Sequence, residues 1–184
     1  RASLPLVWSN MMMVAYLQSQ TVLVKWLSTS LETGYYALAN RLFMPVLMLK
    51  GIMYRLLLPI LSDVGRDRVA LTASLERILP ALALIFMPLS VLAILGAEVL
   101  IVPVFGAEYA GAVRPFQISV SFLFFTGMSS AMGTALLASG DARTPTVGLT
   151  IGCAASIGLC FLLIPRYGAN GAAWATVAAE ILSN

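Results

Sequence analysis

Three cations stand inside a stretch that is otherwise apolar enough to cross a bilayer. Residues 34–63, GYYALANRLFMPVLMLKGIMYRLLLPILSD, contain Arg41, Lys50 and Arg55. A cation at bilayer depth costs about 2.5–3.5 kcal/mol on insertion scales, so such residues usually face a protein interior or a water-filled cavity. At about 100° per residue, Arg41, Pro45, Met48, Ile52 and Arg55 share one helix face. Lys50 falls on the opposite face with Phe43, Leu47 and Tyr54, and Pro45 is expected to kink the helix. One reading is a cationic lining for an anionic cargo. The other is snorkelling, because Arg41 and Arg55 lie nearer the two ends and could reach the interfaces. Lys50, near the middle, is hardest to explain that way.

No other residues form a reactive constellation. The chain contains no histidine, the commonest general base and a frequent metal ligand. It has no GxSxG, no phosphate-cradling glycine loop and no cluster with metal-ligand spacing, so no catalytic residue, metal or cofactor is expected. Cys153 and Cys160 sit in an apolar run and read as small packing residues. Glu32, Asp63, Asp67, Glu76, Glu98, Glu108 and Asp141 lie in or beside expected loops. Glu180 is the exception, inside the last apolar segment, where an acid can relay protons or pair with a cation.

The elements that would position these side chains are membrane helices. The chain has 184 residues, 60% of them hydrophobic and 10% charged, with a mean hydropathy of +0.92. A soluble domain carries about 25% charged residues. The net charge of +3 is spread along the chain and leaves no nucleic-acid footprint. A span needs about 20 mostly apolar residues. Six segments meet that pattern, near 4–27, 34–59, 78–95, 115–137, 146–164 and from 171 onward, the last cut short by the chain end. The expected fold is all-α, a polytopic bundle in which residues 1–184 form one domain.

The first segment carries Asn10, Gln18 and Gln20, and Asn10, Gln18, Thr21, Lys25 and Ser28 fall on one side. That stripe suits a cavity or packing between helices. A turn is expected at 28–33, a polar loop at 62–68, an amphipathic lead-in at 70–77, and a broken stretch with a short interfacial helix at 96–114. Pro80 and Pro88 suit a membrane helix whose neighbours satisfy freed carbonyls, or one that bends. Gly127, Ala131 and Ala135, and again Gly148, Gly152 and Ser156, are small residues at close-packing spacing. GDARTP, residues 140–145, reads as a turn that ends one helix and starts the next. Arg1, Arg66, Arg68, Arg77 and Arg143 fall on one side of the membrane and Lys25, Arg114 and Arg166 on the other, so the first side is expected to be cytoplasmic. The chain opens at Arg1 without a signal-peptide pattern and closes inside an apolar segment, which leads us to expect an internal piece of a longer membrane protein.

The order of short motifs is recognisable. They are Leu4-Pro5-Leu6, a polar patch from Tyr16 to Gln20, Gly34-Tyr35-Tyr36-Ala37-Leu38-Ala39-Asn40-Arg41-Leu42 and Pro59-Ile60-Leu61-Ser62. Phe105-Gly106-Ala107-Glu108-Tyr109, Ala138-Ser139-Gly140-Asp141 and Ile164-Pro165-Arg166-Tyr167-Gly168-Ala169-Asn170-Gly171-Ala172-Ala173 follow. In this order the chain resembles the second half of a polysaccharide flippase, an O-antigen or exopolysaccharide translocase of the multidrug/oligosaccharidyl-lipid/polysaccharide exporter superfamily. The resemblance implies one half of a two-bundle transporter in the bacterial cytoplasmic membrane, with a preceding six-helix half. It implies alternating-access flipping of an undecaprenyl-pyrophosphate-linked oligosaccharide, an anionic partner in the lipid bilayer. Arg41, Arg55 and Lys50, with Lys25 at the outer end of the first segment, would then bind that cargo, and Gln18 and Gln20 would line the cavity. Gln20 stands where many relatives carry an aspartate, which puts ion coupling through that helix in doubt. The rival readings are a multidrug exporter of the same superfamily, which would want an acidic cavity, a membrane polymerase or ligase, which would want a long catalytic loop, and a purely structural membrane subunit, which would leave the intramembrane cations unexplained.

Overall fold

The structure is a computed structural model that describes residues 20–65, 67–141 and 143–183. Every regular element among them is helical. A helical run at 20–27 precedes α1 (Ser30–Val64), α2 (Arg68–Phe105), a 3-10 helix (Ala107–Ala112), α3 (Val113–Ser121), α4 (Leu123–Ala138) and α5 (Arg143–Ser183). Four stretches of these residues are long and apolar enough to cross a membrane.

Local chemistry sets the boundaries. The Thr29 hydroxyl accepts the Glu32 N–H at 3.3 Å, so α1 begins at Ser30, inside the expected turn, and continues through Pro45 and Pro59. Asp67 Oδ1 accepts the N–H groups of Val69 and Ala70 and starts α2. Asp141 does the same for α5: its carboxylate takes the Thr144 hydroxyl at 2.6 Å and the N–H groups of Thr144 and Arg143. Those bonds, the Thr144 hydroxyl first, hold the Asp141 carboxyl below its usual range. The negative oxygen at a helix N-terminus satisfies orphan donors and meets the positive end of the dipole.

Two breaks differ from expectation along α2 and the segment after it. The break expected from Gly96 onward is not there: α2 is helical through Gly96 to Phe105, because Ala97 and Ile101 carry its buried seam onward. The helix stops only at Gly106, whose φ of 100° suits glycine. The segment expected at 115–137 is interrupted at Phe122. There the Ser90 hydroxyl of α2 donates to the Val120 carbonyl at 2.7 Å, competing for an oxygen of the helical ladder.

The 41-residue α5 is two helices. Gln20 bonds both Ser156 and Thr176, at 3.0 Å each. In a straight helix those residues would lie about 30 Å apart at 1.5 Å per residue. The chain therefore reverses at Gly168, the one non-helical residue inside α5 (φ 55°, ψ −130°). The interval between the expected segments at 146–164 and from 171 onward collapses to this glycine hairpin.

Three close approaches decide which ends share a side. A Cβ on Gly65 would lie 2.3 Å from the Ala138 carbonyl oxygen, so the ends of α1 and α4 abut. At the other end the Tyr35 ring covers Gly111, and Glu32 bonds Ala169. Three buried clusters fill the interior. One joins Val24 and Tyr36 to both arms of α5, a second joins Ala39 and Phe43 to Ala97, Ile101 and Phe116, and a third joins Leu57 and Leu61 to Leu82, Phe86, Leu123 and Ala135.

Candidate functional site: the two faces of α1

The buried residues of α1 are Tyr36, Ala39, Phe43, Leu57 and Leu61. Their spacing of three, four and seven residues marks one helix seam. The gap between Phe43 and Leu57 on that seam is the position of Lys50. Arg41, Pro45, Met48, Ile52 and Arg55 are all exposed, on the opposite face, as the helical spacing predicts. Neither arginine has an ion-pair or hydrogen-bond partner among the described residues. An exposed surface of a membrane bundle meets lipid, water or another bundle; a row of two arginines there cannot be satisfied by lipid tails.

The sequence-predicted cations therefore divide into two groups. Arg41 and Arg55 share the open face. Lys50 does not join them: its Nζ lies 3.5 Å from Glu180 Oε1, on the second arm of α5. The Thr126 hydroxyl of α4 donates to Glu180 Oε2 at 3.4 Å. One carboxylate thus ties three helices, between the second and third apolar clusters. The side chains are 38% and 20% exposed. An exposed pair contributes up to about 1 kcal/mol, and breaking a fully buried one costs about 3–5 kcal/mol. This pair lies between those limits. Glu180, singled out as the acid inside the last segment, is the partner that makes a mid-helix lysine tenable.

Lys25 is exposed near the end of the run at 20–27. Gln18 lies outside the described residues. Gln20 is 5% exposed and knotted to three other side chains. Its Oε1 accepts the Tyr36 hydroxyl at 2.5 Å and the Thr176 hydroxyl at 3.0 Å, while its Nε2 donates to Ser156. Four helical segments meet at this neutral amide, which has both a donor and an acceptor to give; a carboxylate there would only accept. Cys153 and Cys160 are buried and free, as packing residues should be.

One tie had no signal beyond a capping-box spacing, Thr29-x-x-Glu32. Glu32 does not close the box on its own helix. Its Oε2 accepts the Ala169 N–H at 2.7 Å and so caps the returning arm of α5. Elsewhere an open groove of about 360 Å3 is lined by Ile94, Arg114, Gln117, Ile118, Ser121 and Trp174; none of Arg41, Lys50 or Arg55 borders it.

With this geometry in hand, likenesses to known proteins become informative. The family model described as "Polysaccharide biosynthesis protein" matches residues 1–114. A search of curated proteins gives no match. Among solved structures, the lipid II flippase MurJ in its inward closed conformation superposes with a TM-score of 0.76 at 22% identity. The superposition covers 94% of this chain but 39% of that one, so the chain spans about two fifths of the flippase's length. At that identity the likeness establishes the fold. The family match covers more than half of the chain, including the glycine-tyrosine motif and both faces of α1, and it makes this chain a member of the polysaccharide biosynthesis protein family.

Proposed function

We propose that the chain is one six-helix half of a membrane transporter, and that the whole protein flips an undecaprenyl-pyrophosphate-linked oligosaccharide across the bacterial cytoplasmic membrane. The observation that carries this reading is the arginine stripe. Arg41 and Arg55 stand on one exposed face of a membrane helix, opposite its packed seam. A pyrophosphate head cannot cross hydrocarbon unaided, and guanidinium groups in a cleft of reduced dielectric replace its hydration with bidentate contacts. Lys25, exposed at one membrane end, would meet the cargo at the mouth. Family membership and the flippase fold support the same reading. Lys50 leaves the contact set, because its partner is Glu180.

The test is surface polysaccharide in a flippase-null cell supplied with the full-length protein. Arg41→Ala and Arg55→Ala should each abolish export at normal membrane level, and Arg→Lys should restore part of it, because the planar fork is lost. Export at normal levels by both Arg→Ala variants would refute the cationic cleft and leave snorkelling as the role of these residues.

A further inference from the structure

α1 carries its cations on opposite faces, and the face that packs is as informative as the face that is open. Its seam runs Tyr36, Ala39, Phe43, Lys50, Leu57 and Leu61. Tyr36 is held at one end of the seam by its hydrogen bond to Gln20; the apolar contacts from Ala39 to Leu61 are non-directional and tolerate small rotations of the helix. Lys50 is different. It sits in the middle of the seam, between Arg41 and Arg55 in the chain, and its ammonium must stay near one carboxylate oxygen of Glu180. The other oxygen of that carboxylate takes the Thr126 hydroxyl, so Glu180 is itself oriented from α4.

We propose that the Lys50–Glu180 pair is the positioning device of the arginine stripe. It sets the rotation of α1 against α4 and the second arm of α5, and thereby the direction in which Arg41 and Arg55 point. A turn of α1 by one residue, about 100°, would carry both arginines off the open face. Lys50 and Glu180 are positioning residues that act through the arginines and do not touch cargo. The inference rests on the flippase reading above, and it explains why a cation occupies a seam position where a leucine would pack better.

The experiment uses the full-length protein with native cysteines replaced and one cysteine at Met48, the exposed stripe residue between the two arginines. Lys50→Met, Glu180→Gln and the exchanged pair Lys50→Glu/Glu180→Lys are compared for glycan export, membrane level and the rate at which the Met48 cysteine reacts with a water-soluble maleimide. Each single variant should lose about tenfold in export and shift the labelling rate severalfold at normal membrane level, the size expected of a coupling between two sites. The exchanged pair should recover both. A pair that serves stability alone would change membrane level and leave labelling and export per molecule as they are. That result, or wild-type export by both single variants, overturns the proposal. If a single variant does not accumulate, Glu180→Asp, which keeps the charge but withdraws it by one methylene, decides: reduced export at normal level supports the proposal, and unchanged export overturns it. Should Arg41→Ala and Arg55→Ala fail to export while the Lys50 and Glu180 variants behave as wild type, the positioning role alone falls. Should the arginine variants export normally, the cationic-cleft reading on which the positioning role rests falls with it.

Discussion

At the scale of the residue, Gly168 and Glu32 make a contact that only glycine tolerates. The backbone of Gly168 lies at φ 55° and ψ −130°, and a Cβ there would come within 2.5 Å of Glu32 Oε2. Gly168→Ala is therefore expected to destabilise the fold by about 1–3 kcal/mol, the cost of a strained backbone region, with the clash in addition. Glu32→Ala leaves the Ala169 N–H without its acceptor and should cost about 1 kcal/mol, a typical capping loss, with Glu32→Gln milder. Thermal unfolding of the full-length protein in detergent checks all three against Gly34→Ala, where nothing lies within 4 Å of the new methyl. The glycine was legible in the sequence as part of the interval at 165–170 between the last two expected segments. Its partner was not, because nothing local says that a first-turn glutamate will cap a helix 137 residues away. Gln20 shows the same limit: its place in the polar patch from Tyr16 to Gln20 was legible, its three-way bonding was not.

At the scale of the element, helical spacing carried far. It separated the arginine face from the Lys50 face, and it marked Gly127, Ala131 and Ala135 as a packing row; all three are buried. It failed at Gly96, where glycine was expected to break a helix that runs on. A glycine weakens a water-exposed helix by about 1 kcal/mol relative to alanine. In a bilayer no water competes for the backbone groups, so the ladder persists. The same contrast gives a prediction within α4. The Phe86 ring would stand 2.6 Å from a Cβ on Gly127, while nothing lies within 4 Å of one on Gly133. Gly127→Ala should destabilise by about 1–3 kcal/mol through overpacking, whereas Gly133→Ala should be neutral or stabilising by up to about 1 kcal/mol. Melting temperatures of the two variants, measured side by side, give the answer; equal shifts would contradict the close approach of α2 and α4.

At the scale of the molecule, the loops sort into two groups by direct contact: residues 62–65 with 138–141, and residues 29–35 with 106–112 and 165–169. The count of loop cations leads us to expect the first group on the cytoplasmic side. Single cysteines at Ser62 and Ser139 should resist an impermeant thiol reagent in intact cells, and one at Ser30 should react; the reverse pattern would invert the bundle. Composition alone made the membrane class legible, because a chain with 10% charged residues has no soluble surface to offer. The partner of Lys50 was harder to read, since a pairing across 130 residues leaves no periodicity to follow.

The central claim is that the exposed arginine face of α1 carries an anionic lipid-linked saccharide, and it is tested most directly without a cell. The full-length protein is reconstituted into vesicles with a fluorescent polyprenyl-pyrophosphoryl saccharide, and transfer between leaflets is read by protection from a membrane-impermeant quencher. The wild-type protein should move the label across, while the Arg41→Ala/Arg55→Ala protein, reconstituted at equal density, should leave it in its starting leaflet. Transfer by the double variant at the wild-type rate would contradict the account.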